Sequence, residues 1–234
     1  MKHLNQYKND SFDLKALPSY KNENFNSKSL TSYITEYIIK KKLDKPIDSE
    51  DHYEYYPETK QELIDNVKEL FNKGETDLNC IDTSKIIDMS RLFESYENIN
   101  FDISKWNVSN VEDMSYMFFG CKLFDCNLSN WNVSNVENMC TMFGACHKFK
   151  GKGLENWNVG NVTNMYSMFE NCENFNCDLS KWNVSKVKDI QYMFYKCKKF
   201  NCNLSKWNVN KVKDMNYALD DCTSLKNKPS WYEE

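Results

Sequence analysis

Apolar residues return to the same phase about every 25 positions along most of this chain. In the stretch that starts at Trp182, Ile190, Met193, Phe194 and Cys197 fall at i, i+3, i+4 and i+7, the spacing of one helical face. Phe200, Cys202 and Leu204 then alternate with Asn201 and Asn203, a period of two that indicates extended chain. Leu204, Trp207, Val209 and Val212 complete the unit in the spacing L-x-x-L-x-L-x-x-V. Each unit should give one strand, a turn and a short helix on the opposite side, with strands of successive units stacked in parallel. Trp106, Trp131, Trp157, Trp182 and Trp207 mark the units at steps of 25, 26, 25 and 25. Such units cannot bury an apolar face alone and need neighbours above and below.

The register extends upstream, where Ile81 to Ile86 matches Trp106 to Val111, with Met89, Leu92 and Phe93 in the helix slots. Downstream, Ala218-Leu219 replaces Met-Phe, Cys222 keeps its slot and Trp231 arrives one residue early, as in a decaying terminal coil. The insertion Lys150-Gly151-Lys152-Gly153 should bulge at the surface. Ahead of the array, Thr59 and Glu62 have capping-box spacing, Leu63, Ile64, Val67, Leu70 and Phe71 form one face, and Gly74 closes the helix. A helix over Leu30–Leu43 carries the stripe Tyr33, Ile34, Tyr37 and Ile38. The expected organisation is a poorly ordered arm (1–27), a docking helix and linker (28–56), a capping helix (57–80) and the repeat array (81–234).

Composition narrows the function. The 30 basic and 34 acidic side chains give a net charge of -4, so the total favours neither nucleic acid nor membrane. No run of 18 apolar residues exists, so membrane insertion is not expected. The N-terminus has no apolar signal region, which points to the cytoplasm or to non-classical export. Three histidines, none recurring, and no nucleotide- or metal-binding motif make this a non-enzyme without cofactors. Cys121, Cys146, Cys172, Cys197 and Cys222 share one slot and read as buried small hydrophobes, with reduced thiols. Asn107, Asn132, Asn158, Asn183 and Asn208 form another column, either a hydrogen-bonded ladder or a polar binding lane.

The stretch W-N-V-S-N-V-E-D-M-S-Y-M-F-F-G-C-K-L-F (106–124) and its copies resemble the roughly 25-residue repeat of the BspA-like leucine-rich-repeat surface proteins of bacteria. The likeness covers about 81–225, and Tyr56 to Phe71 resembles the helix that precedes the array in that family. The resemblance implies an α/β leucine-rich-repeat-like solenoid: a parallel strand column with its short strand at the Trp-x-Val segment (Trp207 and Val209 in one copy), short helices opposite and an N-terminal helical cap. It also implies a non-enzymatic binding or adhesion role, often at a cell surface. Cys126, Cys177 and Cys202 stand where that family's pattern has Gln.

Charge is uneven along the array. From Lys181 to Lys213 there are nine Lys against one acid, whereas Asp82 to Asp178 holds 13 acids and seven bases. The expected site is therefore an electrostatic footprint for an acidic protein partner, host or cell-surface, at Lys181, Lys186, Lys206 and Lys211, with Tyr192 and Tyr217 as aromatic contacts and Asn183 and Asn208 alongside. Nucleic acid is not expected, because no recognition motif accompanies the lysines. The alternative is a structural or intracellular scaffold that associates weakly with itself through its acidic and basic halves.

Overall fold

The computed structural model describes residues 53–232. The expected arm, the helix expected over Leu30–Leu43 and most of the linker lie outside the described residues.

Helix α1 (Lys60–Asn72) begins as its sequence predicts. The Thr59 hydroxyl accepts from the Glu62 N–H at 3.2 Å, and the Glu62 carboxylate accepts the Glu58 N–H at 2.7 Å. The helix ends on Gly74 at φ 81°, with Gly74 and Glu75 N–H groups donating to Phe71 and Leu70 carbonyls, each at 3.0 Å. This is a Schellman closure, and glycine suits its left-handed position. Leu63, Val67 and Leu70 are buried, and the Phe71 ring lies 5.1 Å from Tyr96 and 5.7 Å from Phe101. At the other end Lys60 reaches Asp88 at 3.0 Å and Ser90 at 2.5 Å. Helix α1 is thus seated on the first repeat.

The expected α/β solenoid, with a parallel strand column and short helices opposite, does not form. Among the described residues α1 is the single α-helix, Leu154–Asn156 is a 3-10 turn, and there is no strand. Isolated parallel bridges link Asp88 to Asp113, and then Asn138, Asn164, Asp189 and Asp214 in succession. They sit beside the segment expected to be helical, not at the Trp-x-Val segment expected to be the strand.

Two consecutive turns replace each helix. In the segment from Ile190, the Met193 N–H donates to the Ile190 carbonyl at 3.0 Å and the Cys197 N–H to the Phe194 carbonyl at 2.9 Å. The third residue of each turn has positive φ: Tyr192 at 57° and Lys196 at 60°. Positive φ at that position is the mark of a type II turn. The same two slots are left-handed in every repeat, at Arg91 and Ser95, Tyr116 and Gly120, Thr141 and Ala145, Ser167 and Asn171, and Tyr217 and Asp221. The first and last residues of both turns point inward. Their spacing reproduces that of a helical face, which is why Ile190, Met193, Phe194 and Cys197 are buried without a helix.

These turns free alternate N–H groups for the next repeat. Ile190, Tyr192, Phe194 and Lys196 donate to the Asp214, Asn216, Ala218 and Asp220 carbonyls at 3.0, 3.0, 2.9 and 3.0 Å. Packing follows the same repeat. The rings of Phe118, Phe143, Phe169 and Phe194 stack with centroids 5.3, 5.7 and 5.5 Å apart. Trp131 and Trp157 are parallel to 1° at 6.2 Å, and each indole N–H donates one repeat back, to the carbonyls of Ile103 and Leu128. Trp231 keeps this slot, stacked 6.3 Å from Trp207 and bonded to the Leu204 carbonyl at 3.0 Å, so the tryptophan column has not decayed at that point. The thiols of Cys146 and Cys172 likewise donate to the carbonyls of Phe118 and Phe143, at 3.0 and 2.9 Å.

The glycine insertion tucks in instead of bulging out. Gly151 and Gly153 are buried while Lys150 and Lys152 remain exposed. A Cβ on Gly153 would meet the Ser129 backbone N at 2.3 Å, so only glycine lets these two chain segments approach.

Candidate functional site: the lysine and tyrosine columns

The outer faces of the array are set by corners built from Asp and Asn. In one repeat Asp178, Asn183 and Asp189 each accept, through Oδ1, the N–H two residues on, at 3.0, 3.2 and 2.9 Å. These are Asx turns, and they explain why Asp and Asn recur at three slots per unit. The oxygens of Asn107, Asn132, Asn158, Asn183 and Asn208 are therefore used locally and not along the stack. An amide ladder along the stack does exist, one corner further on. Asn110, Asn135 and Asn161 each donate through Nδ2 to the carbonyls of Ser84, Ser109 and Ser134 at 2.7 Å.

Between two corners runs a shallow groove lined by Lys85, Ile87, Asn110, Glu112, Asn135, Glu137 and Asn161. The same two slots in the next repeats hold Lys186 and Lys188, then Lys211 and Lys213. The face thus runs from acidic at Glu112 and Glu137 to basic at its C-terminal end. Backbone hydrogen bonds tie the second column together, with the Lys188 N–H on the Thr163 carbonyl and the Lys213 N–H on the Lys188 carbonyl, both at 2.8 Å. Lys186 and Lys211 are exposed, and so are Lys188 and Lys213. Lys186 donates to Asn161 Oδ1 at 2.7 Å. Among the described residues none of these four lysines forms a salt bridge, whereas Lys122 and Lys198 pair with Glu97 and Glu173 one repeat back, at 2.7 and 2.8 Å.

One corner beyond lies a cluster of tyrosines. Tyr192 and Tyr217 stack at 5.0 Å and 11°, and the Tyr195 and Tyr166 rings stand edge-on to Tyr192 at 5.6 and 6.1 Å. Tyr217 is half exposed. Loss of hydration, then the neighbouring Tyr217 and Tyr166 phenols, hold the Tyr192 hydroxyl above its ordinary value, so it remains a neutral donor at physiological pH. Lys196 sits over the Tyr195 ring, 4.8 Å from its centre.

The expected site residues divide among three faces. Lys186, Lys211, Tyr192 and Tyr217 fall on adjoining faces, and Lys188, Lys213, Tyr166 and Tyr195 join them. The 25-residue register alone would have assigned Lys188 and Lys213 to the same face. Lys206 lies apart, in a groove of about 490 Å³ with Cys177, Asp178, Cys202 and Asn203, and Lys181 occupies the equivalent slot one repeat earlier. Asn183 and Asn208 are exposed on the corner between the Lys181/Lys206 face and the Lys186/Lys211 face.

In that second groove Cys202 lies 3.4 Å from an Asp178 oxygen, and Cys177 lies 3.6 Å from Glu155. Burial pushes the two thiols up to about 11 and about 12. Both are protonated at neutral pH, and the groove has no histidine in its lining to take the proton. All ten cysteines are free thiols, and the described residues contain no cluster of three or more potential metal ligands. No helix among the described residues is long and apolar enough to cross a membrane.

The family model described as "Mycoplasma protein of unknown function, DUF285" matches residues 61–153 and again 128–232. The chain belongs to the DUF285 family. The first match opens inside α1, and the two overlap over 128–153, so the family pattern recurs along this DUF285 chain as its repeats do. The chain is thereby a repeat protein. Comparison with curated proteins and with solved structures gave no match.

Proposed function

We propose that this DUF285 chain is a non-enzymatic binding module that docks an acidic protein surface over Lys186, Lys188, Lys211 and Lys213, with Tyr192 and Tyr217 as the adjoining contact. The observation that carries the reading is the pair of lysine columns without salt bridges in consecutive repeats. Stacked repeats hold like charges about 5 Å apart at the backbone. An anionic partner relieves that repulsion and gains charge-assisted hydrogen bonds. Neighbouring tyrosines add apolar area at little cost in side-chain entropy.

The likeness of the repeat sequence to BspA-like leucine-rich-repeat surface proteins supports adhesion as the setting in which such a surface is used. The test is equilibrium binding of an acidic polypeptide such as poly-glutamate. Wild-type protein should bind with an affinity that falls as salt rises. The variant K186E/K188E/K211E/K213E should bind at least about tenfold more weakly, at unchanged thermal midpoint. Equal binding by the variant would reject the site.

A further inference from the structure

We propose that the C-terminal edge of the array receives a further polypeptide segment, an acidic copy of the repeat's own turn sequence. Within the array, each repeat offers four N–H groups to four carbonyls of the next. At the first interface Met89, Arg91, Phe93 and Ser95 donate to Asp113, Ser115, Met117 and Phe119 at 2.9, 2.9, 2.9 and 2.7 Å. The last such row is Met215, Tyr217, Leu219 and Asp221. The Leu219 N–H lies beside the Tyr232 hydroxyl, which itself donates to Asp220 Oδ1. Those of Met215, Tyr217 and Asp221 have no acceptor among the described residues. Apolar residues at this edge are left partly covered: Val209, Val212 and Met215 occupy the slots of Val184, Val187 and Ile190, which are 1 %, 0 % and 1 % exposed.

This edge selects its occupant. Its turn row presents donors, so two such rows cannot pair with each other. The complementary row of acceptors, the carbonyls of Asp88, Ser90, Leu92 and Glu94, lies at the opposite edge, where α1 is held by Lys60 on Asp88 and Ser90 and by Phe71 near Phe93. A second copy cannot therefore add head to tail without displacing α1. The segment that fits has the repeat's carbonyls at alternate residues and no helix over them. Its charge is set by Lys213, whose slot holds Glu112 and Glu137 in earlier repeats. An acid there would pair across the interface as Glu97 and Glu173 do with Lys122 and Lys198.

A synthetic peptide with the sequence of residues 108–124 (VSNVEDMSYMFFGCKLF) tests this, titrated into the intact chain with amide exchange as the readout. Exchange of the Met215, Tyr217 and Asp221 amides should slow at least about tenfold at saturation. A peptide carrying E112K should need at least about tenfold higher concentration for the same protection. Unchanged exchange at those three amides, or equal protection from a scrambled peptide, would overturn the proposal.

Discussion

The indole N–H of Trp182 donates to the carbonyl of Leu154 at 2.8 Å, one repeat back, with both residues buried. Six tryptophans make this bond, from Trp106 on Leu78 to Trp231 on Leu204. The stacked rings supply apolar area, and their N–H groups find partners in the interior as second donors to carbonyls that already accept a backbone N–H.

Replacing Trp157 by Phe should therefore cost more than the lost ring area alone. It removes one of the two hydrogen bonds on the Leu128 carbonyl, which keeps the Trp131 backbone N–H at 3.1 Å, a loss of about 0.5–1.5 kcal/mol. The same change at Trp231, which is only partly buried, should cost less. Urea midpoints of the two variants give the comparison, and equal losses would contradict it.

Left-handed slots make a second prediction. Gly120 has φ 75° and its nearest neighbour to an added Cβ is 3.6 Å away, so Gly120→Ala meets only the backbone penalty, about 1 kcal/mol. Gly153→Ala adds a clash with the Ser129 backbone and should lose about 2 kcal/mol more. Ala145→Gly, at φ 58°, relieves a left-handed alanine and should raise the midpoint slightly.

The buried thiols predict alkaline instability. Burial pushes Cys121 and Cys222 up to about 12 and Cys126 up to about 11, and raises Cys146 and Cys197 well above the ordinary thiol value of 9.0. Above pH 9 the unfolded chain gives up protons that the folded chain keeps, so the unfolded state binds fewer protons and stability falls as pH rises. Below pH 9 these groups leave stability unchanged. Urea titrations should be level from pH 7 to 8.5 and decline between pH 9 and 11. The decline should be shallower when Cys146 and Cys197 are both replaced by Ala. An identical slope in that variant would assign the effect to other groups.

The N-terminus of α1 gives a simpler expectation. Thr59→Ala removes the acceptor for the Glu62 N–H and should cost about 1 kcal/mol, while Thr59→Ser should be close to neutral. Denaturation of both variants measures it.

The repeat phase, the inward residues and α1 were all legible from residue type and spacing. The local conformation was not. Two successive four-residue turns bury positions 1, 4, 5 and 8, the same set a helical face buries, so Ile190, Met193, Phe194 and Cys197 carry no information that separates them. The slot that does is Ser95, Gly120, Ala145, Asn171, Lys196 and Asp221, where Gly, Asn and Asp appear together. These residue types tolerate positive φ, and their shared slot argues against a helix interior. The strand expected at Trp-x-Val was lost to its corner asparagine: an Asn183 oxygen that binds the Ser185 N–H turns the chain. That corner also explains why the lysines divide. Lys181 and Lys186 are five residues apart in sequence but lie on opposite sides of the Asx turn.

That division allows the binding surface to be tested at constant net charge. K186E/K211E and K181E/K206E alter charge equally, one pair on the face shared with Lys188 and Lys213, the other at Lys206 in the groove beside Cys202 and at its equivalent slot one repeat earlier. Titration of both variants with poly-glutamate at low salt is the direct measurement. The account predicts at least about tenfold weaker binding for K186E/K211E and near wild-type binding for K181E/K206E. Equal losses in both variants would show a response to net charge alone and would contradict a defined docking face.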